Sequence, residues 1–125
     1  VSDTVEKILG AIEWHDLTVP DAENVRAFYE QVVGWTSSPV DMGEYNDYGV
    51  DNAEGTVGGI CHARGQNAAI PAMWVMYVRV ASVNTSVEKC VELGGEVLTR
   101  NSYGEDDYAI LRDTAGAAFG VIGKP

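Results

Sequence analysis

Ile12-Glu-Trp-His-Asp-Leu-Thr-Val-Pro-Asp-Ala-Glu-Asn-Val-Arg-Ala-Phe-Tyr-Glu-Gln-Val-Val-Gly-Trp35 is the stretch that decides the fold. Its opening, Ile12 to Val19, is short and partly alternating, as a half-buried strand should be. Pro20 and Asp21 stop that strand. Asp21 is also a good helix N-cap, because its short carboxylate can accept from an orphan backbone N–H. Ala22, Val25, Phe28, Tyr29, Val32 and Val33 then recur at spacings of three and four, which predicts one face of an amphipathic helix. Gly34 is placed to close it as a C-cap.

The same order returns 61 residues later. Ala72 to Val80 predicts a strand, Ser82 a cap, and Val83, Val87, Cys90, Val91 and Leu93 a helix face closed by Gly94-Gly95. Val19 matches Val80, Asp21 matches Ser82, Ala22 matches Val83 and Gly34 matches Gly95. Three short strands should follow each helix, near 35–41, 45–50 and 56–62, and again near 96–100, 107–112 and 117–122. The breaks are Met42-Gly43-Glu44, Asp51 to Gly55, Asn101 to Asp106, and Asp113 to Gly116. The expected fold class is therefore α+β: two tandem βαβββ modules, about 11–62 and 72–123, joined by a linker at 63–71. One helix covers only one face of a four-stranded sheet, so the other must meet something else. Two such sheets are expected to form an incomplete barrel around a cleft.

Composition narrows the partners. In 125 residues, 46% hydrophobic, there is enough apolar material for a core. Eight Lys and Arg stand against 19 Asp and Glu, a formal net charge of -11. Such a surface repels phosphate backbones and anionic membranes, so neither nucleic acid nor a membrane is an expected partner. No run approaches the ~20 apolar residues of a membrane span. The sequence opens without a signal-peptide pattern, so a cytoplasmic setting is expected. Cys61 and Cys90 are not in CxxC spacing and read as buried free thiols.

The quoted stretch, with its FYxxVxGW-like end, is similar to the vicinal oxygen chelate superfamily, the glyoxalase/bleomycin-resistance/dioxygenase group. Gly58-Gly59-Ile60, the segment from Trp74 through Gly95, and Ala109 to Gly120 extend the resemblance over nearly the whole chain. It implies the fold already expected, and the small glyoxalase-like proteins are the subgroup most resembled. The fold hosts unrelated activities, so it does not name a substrate. It also implies His and Glu metal ligands on the first and last strand of each module, where a divalent ion activates an oxygen.

Those positions read differently here. The first-strand place, 14 residues before Phe28, is Trp14, and its second-module match falls near Val75. Four residues beyond Gly116 stands Gly120. The first module's last-strand position lies within 58–62, where His62 alone makes no site. Strand parity turns His15 to the other face, with Leu17 and Val19 under the helix. No spacing argues for a different site built from Asp16, His62 or Glu13. No metal and no cofactor is expected.

The cleft face should instead carry Trp14, Asp16 and Thr18 from one module and Tyr77 and Arg79, beside Val75, from the other. An aromatic wall with a carboxylate, a hydroxyl, a phenol and a guanidinium suits a small organic molecule with a hydrogen-bonding or anionic edge. Alternatively, Trp14 is core filler or an interface anchor, and Arg79 pairs with Asp16 as a structural ion pair. No nucleophile–base pair is visible, so no catalytic residue is assigned. Three functions follow: a metal-independent small-molecule-binding protein, a metal-dependent lyase, isomerase or dioxygenase, and a homodimeric interaction module.

Overall fold

The structure, a computed structural model, describes residues 7–125. In chain order its elements are β1 (Ile12–Val19), α1 (Ala22–Val33), β2 (Thr36–Asp41), β3 (Asn46–Asn52), β4 (Gly55–His62), β5 (Trp74–Ser82), α2 (Val83–Glu92), β6 (Glu96–Tyr103), β7 (Asp106–Arg112) and β8 (Ala118–Lys124). The fold is α+β, and the order βαβββ occurs twice. A single 3-10 turn, Gly65–Asn67, lies between β4 and β5. The chain divides into two units: Trp14–Val75, and residues 7–13 together with Met76–Pro125. Among the described residues no helix is long and apolar enough to cross a membrane.

In the first unit the strands lie in the order β2-β3-β4-β1. β1 runs parallel to β4, with Asp16 opposite Gly59 and Thr18 opposite Cys61. β3 is antiparallel to both β2 and β4. Asp21 caps α1 by accepting from the Asn24 backbone N–H at 3.2 Å. Gly34 ends it at φ 84°, a left-handed conformation that costs a residue with a Cβ more than it costs glycine. The helix packs on Leu17, Val19, Val50 and Ile60, with Ala22 its buried contact and Val25 and Tyr29 beside it. Tyr29 stacks on Trp35 at 5.9 Å and accepts a hydrogen bond from Trp74 Nε1 at 3.0 Å.

The second unit repeats the plan as β5-β8-β7-β6, with β5 parallel to β8. Ser82 caps α2 by accepting from the Thr85 N–H. Val83, Ala109, Leu111 and Val121 form the core, with Val80, Val87, Cys90, Val97 and Phe119 around it. The segment leading into β1 belongs here: Gly10 N–H donates to the Arg79 carbonyl, and Arg79 N–H donates to the Ala11 carbonyl.

Several details depart from the sequence reading. Phe28, Val32, Val33, Val91 and Leu93, expected on the helix faces, are exposed. Asp51, Asn52 and Gly55, expected in a break, are strand residues. Asn101, Ser102, Tyr103 and Asp106, expected in a break, are strand residues, and only Gly104 and Glu105 turn the chain. Cross-strand bonds override their polar composition: Arg100 Nη2 and Ser102 Oγ both donate to Asp107, at 2.8 and 3.1 Å. At the end of α2 the left-handed residue is Gly94, one position earlier than the repeat predicts.

Ile60 is fully buried at the centre of the first core. Ile60→Ala is expected to lower unfolding free energy by about 2–5 kcal/mol, read from denaturant melts.

Candidate functional site

Residues that alternate with the helix-facing core line the open face of each sheet. In the first unit these include Asp16 and Thr18 on β1, Asp47 and Gly49 on β3, and Gly59 and Cys61 on β4. Trp14 Nε1 donates to Asp16 Oδ1 at 2.6 Å, so the indole and the carboxylate form one half-buried pair. Thr18 is buried beside them. Asp47, also buried, accepts from the His62 backbone N–H at 2.8 Å and faces His62 Nδ1 at 3.3 Å. Tyr45 meets the His62 ring edge-on, and the Arg64 guanidinium lies 4.0 Å from the Tyr45 centroid.

The Cys61 thiol is pushed well above its usual range by burial first, then by the Asp16 and Asp47 carboxylates. It stays protonated at neutral pH and is no nucleophile. Cys61 and His62 therefore do not make a thiolate–imidazole couple, as their strand alternation already implied.

The open face of the second unit carries Tyr77 and Arg79 on β5, Tyr108 and Ile110 on β7, and Gly120 and Ile122 on β8. Tyr77 is buried and meets Tyr108 edge-on at 6.1 Å. Arg79 is 6% exposed and heavily engaged. Its Nε and Nη2 each donate to Glu13 at 2.8 Å, and its Nη1 donates to Asp106 at 3.1 Å. Glu13 and Asp106 are the carboxylates on this guanidinium, where the sequence suggested Asp16. The bidentate bond from Arg79 holds the Glu13 carboxyl below the usual range, against the opposing effect of burial.

The five residues expected to share a cleft are thus placed three in one unit and two in the other. Trp14 and Asp16 are joined directly, while Tyr77 and Arg79 each have partners the sequence did not indicate. The 61-residue offset holds the missed signal for Asp47, which is repeat-equivalent to Tyr108, as Asp16 is to Tyr77. Glu13 and Asp106 lie 66 and 27 residues from Arg79, and no local pattern links them.

A metal does not fit these residues. Among the described residues no group of three or more His, Cys, Asp or Glu is placed to hold an ion. Of the ligand positions implied by the resemblance, Trp14 is a hydrogen-bond donor, Val75 is a buried hydrocarbon and Gly120 has no side chain.

Paired βαβββ units of this kind, each with its first strand parallel to its last, define a vicinal oxygen chelate protein. The chain belongs to the glyoxalase-like domain family, whose model matches residues 14–122. It is 29% identical over 130 residues to CFP32 of Mycobacterium tuberculosis, covering 100% of this chain and 48% of that protein. It is 28% identical over 131 residues to the anthracycline biosynthesis protein DnrV of Streptomyces peucetius, covering 92% and 47%. The chain therefore spans about half the length of the curated relatives it matches. Among solved structures, methylmalonyl-CoA epimerase of Streptomyces coelicolor superposes with a TM-score of 0.55 at 14% identity, over 94% of this chain and 99% of that one. Glyoxalase I from Zea mays superposes with a TM-score of 0.61 at 12% identity, over 93% and 44%. At these identities the structures share the fold.

The Arg79 cluster yields a prediction about stability. Arg79→Met leaves the half-buried Glu13 without its bidentate partner and Asp106 with the exposed Lys124, 3.9 Å away, and is expected to cost about 2–3 kcal/mol in denaturant melts at pH 7. Because the Glu13 value is lowered in the folded chain, its contribution is present above the unfolded carboxylate value and fades as pH falls through the folded one. Glu13→Gln should flatten that acid limb of the stability profile.

Proposed function

We propose that this chain is a metal-independent, small-molecule-binding member of the glyoxalase-like family. The observation that carries the reading is the chemistry at the metal positions: Trp14, Val75 and Gly120 supply an indole, a hydrocarbon and no side chain. What the open faces offer in exchange is aromatic surface with a few fixed polar groups, the usual make-up of an organic ligand site. Trp14, Asp16, Thr18, Tyr77 and Arg79 are the proposed ligand-contacting residues. Trp14 and Asp16, half-buried and bonded to each other, are the pair best presented for contact. Arg79, already bonded to two carboxylates, contributes as a fixed scaffold charge more than as a hook for an anion. That shifts the preferred ligand from one with an anionic edge toward a neutral, hydrogen-bonding one.

The comparisons support an organic ligand in general terms. Epimerase neighbours are captured with 2-nitronate-propionyl-CoA and with methylmalonyl-CoA. One curated relative is named for anthracycline biosynthesis. We further propose a cytoplasmic setting, supported by the free Cys61 and Cys90 thiols.

A homodimer is the second reading. It is favoured by the exposed apolar pair Phe28 and Val32, one helical turn apart on α1. Sedimentation of Phe28→Glu/Val32→Glu should then give a lighter species than the parent, and an unchanged mass would discard this reading.

The ligand-binding reading is tested on untagged protein. Elemental analysis after Zn²⁺ and Ni²⁺ supplementation should find less than about 0.1 metal per chain. A small-molecule thermal-shift screen should return ligands whose stabilisation survives EDTA. For such a ligand, Trp14→Ala should weaken binding at least about tenfold, near 1.4 kcal/mol. Stoichiometric metal, or hits that vanish with chelator, would overturn the proposal.

A further inference from the structure

The last strand of each unit carries a glycine at the same place in the repeat, Gly59 and Gly120. Each lies opposite a repeat-equivalent residue of the first strand: Asp16 opposite Gly59, and Tyr77 opposite Gly120. The approach is close in both units. A Cβ at position 120 would stand 2.5 Å from Tyr77 Cδ2, 2.8 Å from Cε2 and 3.0 Å from Cγ. A Cβ at position 59 would stand 2.5 Å from Asp16 Oδ1, but 3.6 Å from its Cγ.

These contacts differ in how they can yield. The Asp16 carboxylate is the far end of a short side chain and can swing aside at the cost of its present interactions, the bond from Trp14 among them. The Tyr77 ring cannot, because the contact reaches its first ring carbon. The ring is also buried and held edge-on by Tyr108. Moving it means leaving its rotamer and opening a void beneath it.

We infer that Tyr77 is the specificity-determining residue that closes the family's last-strand metal position, by occupying the volume a side chain at 120 would need. Absence of a carboxylate at 120 is then a packing requirement of this chain and not a lone substitution. The inference rests on the metal-independent reading and deepens it. Where the fold would hold an ion between first and last strand, this unit holds an aromatic ring, and the first unit holds a carboxylate tied to an indole. The two open faces are thereby made chemically unlike, one phenolic and one acidic. A ligand bound at either face meets a side chain of the first strand lying across a bare last strand.

The test uses the full chain and two readouts, thermal melting and calorimetric titration with Zn²⁺ and Ni²⁺. Gly120→Ala should lower the melting temperature by about 4–12 °C, and Gly120→Glu by more. Gly59→Ala should lower it by less than Gly120→Ala. The double variants Tyr77→Ala/Gly120→Ala and Tyr77→Ala/Gly120→Glu should lose less than the sum of their single changes, since the first substitution vacates the space the second needs. Parent chain and Gly120→Ala should both titrate without stoichiometric metal. A Gly120→Ala chain that melts with the parent, or strict additivity in both doubles, would overturn the packing inference. Stoichiometric metal in the parent would instead overturn the metal-independent reading, so the two failures are told apart.

Discussion

The parallel pairing of first strand with last strand, repeated in each unit, is the constraint on which the other features depend. A helix and two antiparallel strands intervene between β1 and β4, and between β5 and β8. The pairing sets Asp16 against Gly59 and Tyr77 against Gly120, and fixes which side chains share a face. It also assigns the helix to the opposite face, where Leu17, Val19 and Ile60 in one unit and Ala109, Leu111 and Val121 in the other form the cores. A one-residue slip would exchange core for open face along the whole strand, so burial enforces the register. The glycines stand where the first-strand side chain lies across its partner, Asp16 over Gly59 and Tyr77 over Gly120, while other pairs such as Leu17 and Ile60 carry a side chain on both strands.

Electrostatics then separate the two open faces. An acidic chain has few cations to distribute, and the buried Arg79 is given to Glu13 and Asp106. Burying a guanidinium costs several kcal/mol unless its donors are met, and the bidentate bond to Glu13 meets that need. On the other face burial, and after it the flanking Asp16 and Asp47 carboxylates, keep Cys61 a thiol. The site is thus unsuited to thiolate chemistry and lacks the donors for a metal. Under the proposed reading, its aromatic surface and hydrogen-bonding groups serve recognition.

Much of the fold was legible along the chain because it is written in local signals. The strand-cap-helix-glycine order from Ile12 to Gly34, and its return 61 residues later, needs only periodicity and capping chemistry. Strand alternation placed Leu17 and Val19 under the helix and Trp14 with Asp16. The resemblance to the vicinal oxygen chelate group rested on those same residues, and the family assignment agrees with it. The tip of the β6–β7 hairpin was illegible. Asn101, Ser102 and Tyr103 look like loop residues until Asp107 and its Arg100 and Ser102 donors are paired across the strands.

By itself, then, the sequence determined the two βαβββ modules, the helix caps, the acidic surface and the residue types at Trp14, Val75 and Gly120 that replace metal ligands. Each depends on residue type or on spacing within one element. Only the tertiary structure decided what surrounds those positions. The partners of Arg79 come from 66 and 27 residues away. The volume over Gly120 is filled by a ring from a strand that is distant in sequence and adjacent in space. Charge pairing and excluded volume act between neighbours in three dimensions, and neighbours of that kind leave no period in the chain.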